Sequence, residues 1–379
     1  MSIAFLFGLS AAFHFYVGAR LVPALSGTLA STLLSLVLVA SAVLMPLGLL
    51  AGRRRHGPIA RTLGWLGLVL MGFFSSLWVL TVARDVLLLV LHLGGAAGAD
   101  WPIERIGEVS AAAVPLVALF ITAVGFANAR RTAGVKTVEI PVADLPAAFH
   151  GFRIVQISDV HVGPTIRDRQ VQGIVDAVNG LQADLVAITG DLVDGSVSDL
   201  TDHVAPLAQL ASREGSFFVT GNHEYYSGVV PWLAELRRLG IRNLHNEHVV
   251  IERGGSRLVL AGVTDFTGGH FDESHRSDPH AALAGAPPDA AFKVLLAHQP
   301  RSAPAAASAG FDLQLSGHTH GGQFLPWNFL VRLQQPFTAG LHAVDELLVY
   351  VSRGTGYWGP PKRFGAPSEI TLLKLVPTA

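Results

Sequence analysis

The sequence predicts a four-helix transmembrane region followed by a layered α/β domain with mixed β-sheets. Three observations carry that reading. Long apolar stretches crowd the chain before Arg130, short apolar runs alternate with segments of helical spacing after it, and those runs repeatedly end on Asp, Asn or His. A chain of 379 residues has room for both parts. The boundaries fall at 1–130 for the membrane region, 131–150 for a linker and first strand, and 151–379 for the second domain.

Bulk composition agrees. Half of the residues are apolar and 15% carry charge, against about 25% in soluble domains. A formal net charge of −1 argues against nucleic acid as a partner. The absence of cysteine excludes disulfides and thiolate metal ligands.

The apolar stretches are Ile3 to Val17, Leu29 to Leu50, Leu63 to Ala83 and Val109 to Ala127. The last three are long enough for about 30 Å of hydrocarbon. The first is marginal, and it lacks the basic start of a cleaved signal peptide. Arg53, Arg54, Arg55 and Arg61 separate the second and third stretches, while Arg130, Arg131 and Lys136 follow the fourth. Basic loops stay in the cytoplasm, so the N-terminus and everything after Arg130 are expected there, in a multi-pass inner-membrane protein. Arg84-Asp85 would end the third span near Ala83 and leave Val86 to Leu93 at the interface. A polar pair inside the bundle is the alternative.

After Val135 to Val142, a candidate first strand, Phe152 to Ile157 reads as a core strand bounded by Gly151 and Ser158. Asp168 to Leu181 is an amphipathic helix with Ile174, Val175, Val178 and Leu181 inward. Strands are expected over Asp184 to Thr189, Ser216 to Thr220, Arg257 to Val263, Phe292 to Ala297, Phe311 to Ser316, Leu347 to Arg353 and Ile370 to Leu375. Helices are expected over Val204 to Leu210 and Pro231 to Leu239.

The chemistry sits where these strands end. Asp159 and His161 follow one strand, two residues apart, a spacing that turns both side chains to one side of an extended chain. Asp191, Asn222 and His298 follow others, and Gly317-His318-Thr319-His320 closes the series. Polar residues at strand C-terminal ends converge on one crevice in an α/β sheet. Their oxygens and imidazoles are ligands enough for two cations.

In this order, D-x-H, G-D, G-N-H-E, H and G-H-T-H, the residues resemble the calcineurin-like metallophosphoesterases over about Phe152 to Leu375. Gly221 to Tyr226, Gly317 to Gln323 and Val351 to Gly354 point further to a membrane-associated bacterial branch. The resemblance implies that Asp159, His161 and His320 hold one metal, that Asn222, His298 and His318 hold another, and that Asp191 bridges them. It also makes His223 the catalytic residue that stabilises the transition state or protonates the leaving group. Glu224 stands where many relatives have Asp, and its longer carboxylate would reach a histidine ring or the backbone.

Asp265 and Arg353 are further candidates for supporting the site or meeting substrate. His270 and His275 lie on a loop that could reach it, and the apolar stretch Phe324 to Phe337 could form an acyl-chain groove. The implied activity is hydrolysis of a phosphomonoester, phosphodiester or pyrophosphate, a lipid-linked one among the possibilities, with two divalent ions of Mn²⁺, Fe or Zn²⁺ as cofactors. The lipid bilayer and the phosphoester are the expected partners. A membrane transporter or channel regulated by a phosphoesterase-like domain and a non-catalytic membrane scaffold are the alternative classes.

Overall fold

The computed structural model describes residues 2–54 and 57–378. Arg55 of the basic loop, and the side chains of Arg53 and Arg54, lie outside the described residues. The chain divides into two compact units, Met1–Asn128 with Gly359–Phe364, and Ala129–Trp358 with Gly365–Ala379.

The first unit holds α1 (Ile3–Leu21), α2 (Thr28–Arg54), α3 (Pro58–Ala96) and most of α4 (Ile103–Arg130). All four are long and apolar enough to cross a membrane. The first is therefore longer than its apolar run suggested. Glycines let α2 and α3 touch: a Cβ on Gly48 would fall 2.8 Å from the Gly67 Cα, the close approach that small residues permit in membrane helices.

The expected break at Ala83 is absent. α3 runs unbroken through Arg84 and Asp85, because neighbouring helices supply partners for both. Arg84 Nε donates to Ser110 Oγ at 3.0 Å and Nη2 to the Gly107 carbonyl at 2.9 Å, while Asp85 Oδ2 accepts from Tyr16 Oη and Arg20 Nε. The short segment 359–364 adds Lys362 to this unit, its Nζ donating to the Gly72 carbonyl at 2.7 Å.

The second unit opens with β1 (Gly134–Val142), β2 (Arg153–Ile157), α5 (Asp168–Gly180), β3 (Leu185–Ile188), α6 (Val197–Val204), β4 (Ser216–Phe218), α7 (Asn222–Ser227), α8 (Val229–Arg238) and β5 (Arg242–Asn243). It continues with β6 (Glu247–Arg253), β7 (Ser256–Gly262), α9 (Pro279–Ala282), β8 (Phe292–Leu296), α10 (Ala303–Ala309), β9 (Leu313–Ser316), α11 (Trp327–Leu330), β10 (Gly340–Val344), β11 (Leu347–Val351) and β12 (Glu369–Pro377). Two six-stranded mixed sheets result, ordered β1-β12-β2-β3-β4-β5 and β10-β11-β9-β8-β7-β6. Strands β2 to β5 are mutually parallel, and so are β7, β8, β9 and β11.

Alternation along the strands explains the layers. Ile154, Leu185 and Phe217 pack with Leu258, Val294 and Leu313 in a core shared by the two sheets. Val155, Val186 and Phe218 turn to the opposite face, against Val175 and Val178 of α5 and Trp232 of α8. Ala261, Leu295 and Val349 meet α9 and α10 on the outside of the second sheet. Gln156 is buried and donates from Nε2 to Thr189 Oγ1 at 2.8 Å and to the Ser316 carbonyl at 2.9 Å. One amide thus ties the ends of β2, β3 and β9 together.

Candidate metal centre

The ligand-type residues leave β2, β3 and β4 of one sheet and β8 and β9 of the other, all at C-terminal ends. The backbone there is not extended, contrary to the reading of Asp159 and His161 as neighbours on a straight chain. Asp159, His161, Asp191, His318 and His320 all have positive φ, between 52° and 69°. Non-glycine residues rarely take that conformation, and strain of this kind gathers at functional sites. The left-handed turns, rather than strand alternation, aim these side chains inward.

Gly317 belongs to the same construction. A Cβ there would fall 2.0 Å from Ser158 Oγ and 2.2 Å from Asp159 Oδ2. Without it, the His318 backbone N–H reaches both Asp159 oxygens at 3.0 Å.

Among the described residues three sets of side chains could each hold a cation, and two of them share no residue: Asp159, His161 and His320, and Asp191, His298 and His318; the third, His161, Asp194 and His223, shares His161 with the first. In the first, His161 Nε2 faces His320 Nε2 at 3.0 Å. In the second, His298 Nε2 lies 3.2 Å from His318 Nδ1 and 3.1 Å from Asp191 Oδ2. Two nitrogens bound to one zinc-like ion at about 2.0–2.1 Å are about 2.9–3.4 Å apart, so these spacings fit shared cations. His298 Nδ1 donates to the Thr189 carbonyl at 2.7 Å, which leaves Nε2 as the ligand atom.

Asp191 Oδ2 also stands 4.0 Å from His161 Nε2, between the two groups. Asn222 Oδ1 is buried with no hydrogen-bond partner among the described residues, and such an orphaned oxygen suits a cation. The donor set of imidazoles, carboxylates and one amide therefore fits two divalent metals.

Residues 152–322 match the family described as calcineurin-like phosphoesterase. The chain is 34% identical over 303 residues to an uncharacterised metallophosphoesterase of Campylobacter jejuni, an alignment covering 79% of this chain and 78% of that one. It belongs to the calcineurin-like phosphoesterases. It is also 43% identical to a cattle protein and to a zebrafish protein, each called a transmembrane protein with metallophosphoesterase domain. Those alignments cover 76% and 69% of this chain, and 67% and 62% of the relatives' own lengths. Vertebrate relatives thus stand beside bacterial ones, and the bacterial branch expected from the motifs is not singled out.

Within this calcineurin-like phosphoesterase domain, His223 has a partner that motif reading missed. Asp194 Oδ1 accepts from His223 Nδ1 at 2.5 Å and from His161 Nδ1 at 3.1 Å. Burial opposes the charge on His223, but the bond to Asp194 and the charge of Asp191 outweigh it and push the imidazole up to about 9. Burial works against Asp194 too, yet His161 and His223 hold its carboxyl well below the usual range. The available signal was a second carboxylate three residues beyond Asp191.

Glu224 turns to the backbone, not to His223. Its carboxylate accepts from Gly221 N at 2.7 Å, Asp191 N at 3.0 Å and Leu192 N at 2.7 Å. It therefore pins the turn after β3 to the turn after β4. Burial, then the Asp191 charge, push it up to about 8 against the pull of the Gly221 and Leu192 bonds.

The other candidates occupy different positions. Asp265 is buried and accepts from Gln299 Nε2 at 3.0 and 2.9 Å, next to His298 in sequence. Arg353 Nη1 pairs with Glu369 Oε2 at 3.2 Å, and its aliphatic stem lies under Gly321. His275 Nδ1 contacts Tyr225 Oη at 2.9 Å, and His270 is exposed. In the stretch after His320, Trp327, Phe329 and Leu333 are exposed. Gln323 and Trp358 exchange two hydrogen bonds, and the Trp358 ring lies 6.2 Å from that of His223.

Proposed function

We propose that the protein is a membrane-anchored, dinuclear metal-dependent phosphoesterase. The observation that carries this reading is the position of Asp191 Oδ2, 3.1 Å from His298 Nε2 and 4.0 Å from His161 Nε2, as a carboxylate shared by two ligand groups would be. Asp159, His161 and His320 would hold one cation, and Asn222, His298 and His318 the other, with Asp191 between. The chemistry a pair of divalent cations supplies is neutralisation of phosphoryl charge and acidification of water. Mn²⁺, Fe and Zn²⁺ all suit this nitrogen and oxygen set.

The chain's own part in the reaction rests on His223. With Nδ1 donating to Asp194, its other ring nitrogen can donate a hydrogen bond to a phosphoryl oxygen or pass a proton to the departing oxygen. Asp194 orients the ring and supports its positive charge. Glu224 holds the backbone of Asp191, and Ser158 and His318 N hold Asp159, so the ligand carboxylates keep their positions as substrate arrives.

A substrate with a lipid portion suits the remaining features. The four helices would keep the domain at a membrane, and apolar side chains at Leu325, Trp327, Phe329 and Leu333 are exposed a few residues beyond His320. The positions of Arg61, Arg130, Arg131 and Lys136 support a cytoplasmic domain. A phospholipid headgroup or a nucleotide-linked glycolipid at the inner leaflet would meet both conditions. The transporter or channel reading rests on His14, Arg20, Arg84 and Asp85, whose partners on neighbouring helices account for them as packing groups.

Elemental analysis of the purified protein, joined to turnover of lipid and water-soluble phosphoesters, tests this. Two metals per chain, loss of activity on chelation and return with Mn²⁺ or Zn²⁺ are expected. No turnover of any phosphoester by metal-loaded protein would remove the catalytic reading, and equal efficiency on both substrate types would remove the lipid preference.

A further inference from the structure

Arg301 sits three residues beyond His298, on the turn Pro300–Ser302. Its guanidinium carbon lies 4.2 Å from the centre of the Phe266 ring. Among the described residues it makes no ion pair, and its Nε is buried with no hydrogen-bond partner. A buried guanidinium nitrogen without a partner is unfavourable in a resting fold and calls for a reason.

The surroundings hold Arg301 in place while leaving its charge unanswered. Its backbone N–H donates to Gln335 Oε1 at 3.2 Å. Gln335 Nε2 in turn donates to Gln299 Oε1 at 3.2 Å, and Gln299 Nε2 donates to Asp265. Asp265 is the acidic group at hand, and Gln299 and Thr267 already occupy its oxygens. It fixes the chain of amides without pairing to the guanidinium.

The turn Pro300–Ser302 follows the candidate ligand His298 with only Gln299 between, so Arg301 leaves the backbone beside the His298 and His318 group. A planar cation backed by an aromatic ring and free of carboxylates is the side chain that recognises phosphate oxygens in pairs.

Building on the phosphoesterase reading, we propose that Arg301, held against Phe266, is a substrate-recognition residue that binds an anionic phosphate oxygen beside the His298 and His318 metal group. The oxygen would belong to the reacting phosphate of any substrate, or to the neighbouring phosphate of a diphosphate. Neither role places Arg301 in the bond-breaking step, so its effect falls on binding.

Arg301→Gln and Arg301→Lys in the full-length, metal-loaded protein test this, with inorganic phosphate and inorganic pyrophosphate as ligands in calorimetry and as inhibitors of turnover. Arg301→Gln should weaken binding about ten- to a hundredfold and raise KM with kcat nearly unchanged. Arg301→Lys should recover part of the loss, and Phe266→Leu should weaken binding less. Weakening of both ligands assigns the reacting phosphate, and weakening of pyrophosphate alone assigns the neighbouring one. Unchanged binding of both, at unchanged melting temperature and metal content, would overturn the proposal. A wild-type protein that binds phosphate through Arg301 but turns over no phosphoester would instead overturn the phosphoesterase reading and leave the anion site standing.

Discussion

Asp194 Oδ1 accepts a hydrogen bond from His223 Nδ1 at 2.5 Å, and the same oxygen holds His161 at 3.1 Å. One carboxylate therefore serves a candidate metal ligand and the candidate acid together. Replacing Asp194 by Asn keeps the shape and removes the charge. Supporting carboxylates of this kind contribute about 10–100-fold to metal affinity or activity. Asp194→Asn should lower kcat by that factor, and His223→Asn by about 10²–10⁴-fold. Steady-state kinetics beside metal analysis separates the two effects: metal content should fall only in the Asp194 variant, and loss of metal from His223→Asn would contradict its separation from the ligands.

Glu224 makes a different prediction, for stability. Its carboxylate answers three buried backbone N–H groups at 3.0 Å or closer, and each orphaned donor costs about 1–3 kcal/mol. Glu224→Ala should destabilise the domain by several kcal/mol. Glu224→Asp shortens the side chain by one methylene and should fall between the two. Urea or thermal denaturation checks the order; an Ala variant as stable as wild type would show that the turns hold without the clamp.

Gly317→Ala tests the close packing behind the Gly-His-Thr-His turn. The added Cβ would strike Ser158 Oγ and Asp159 Oδ2, and both belong to the framework of one ligand group. Metal occupancy and activity should drop together while the helical unit is unaffected. Circular dichroism with elemental analysis reads both; full metal content in the variant would mean that Ser158 yields.

His245 supplies a pH prediction away from the metal groups. Its Nε2 is buried with no partner among the described residues, and its ring is 5.2 Å from that of His275. Burial first, then the charges of His275 and Arg237, push it down to about 4 from an ordinary 6.5. The folded protein resists a proton that the unfolded chain takes up below 6.5. Stability present above that pH should therefore decline as pH falls toward 4. His245→Phe should flatten this part of the melting-temperature profile between pH 7 and 4, and parallel profiles would clear His245 of the effect.

The clustering of the candidate ligand residues was legible in the sequence because each lies within four residues of the end of an apolar strand, as Asp159 does after Ile157, Asp191 after Ile188 and His298 after Leu296. Those runs also marked the α/β layering and the inner face of α5. The contribution of Asp194 was not legible, since its meaning comes from His223, which reaches it only when β3 and β4 lie side by side. The direction of Asp159 and His161 was misread because alternation assumes an extended chain, and both residues are left-handed. In sequence Arg84 and Asp85 mark the end of a span, because charge inside an apolar run is unfavourable alone. Tyr16 and Ser110, distant in sequence, change that balance.

The two ligand groups draw on both sheets, joined through the shared core and the Gln156 amide. The apolar interior is thus a ruler for the chemistry above it: a slip of one sheet past the other would change the spacing at the ligand groups before any strand came apart. Thinning that interior, as Leu313→Ala would, should make activity fade at temperatures where the secondary structure is still whole.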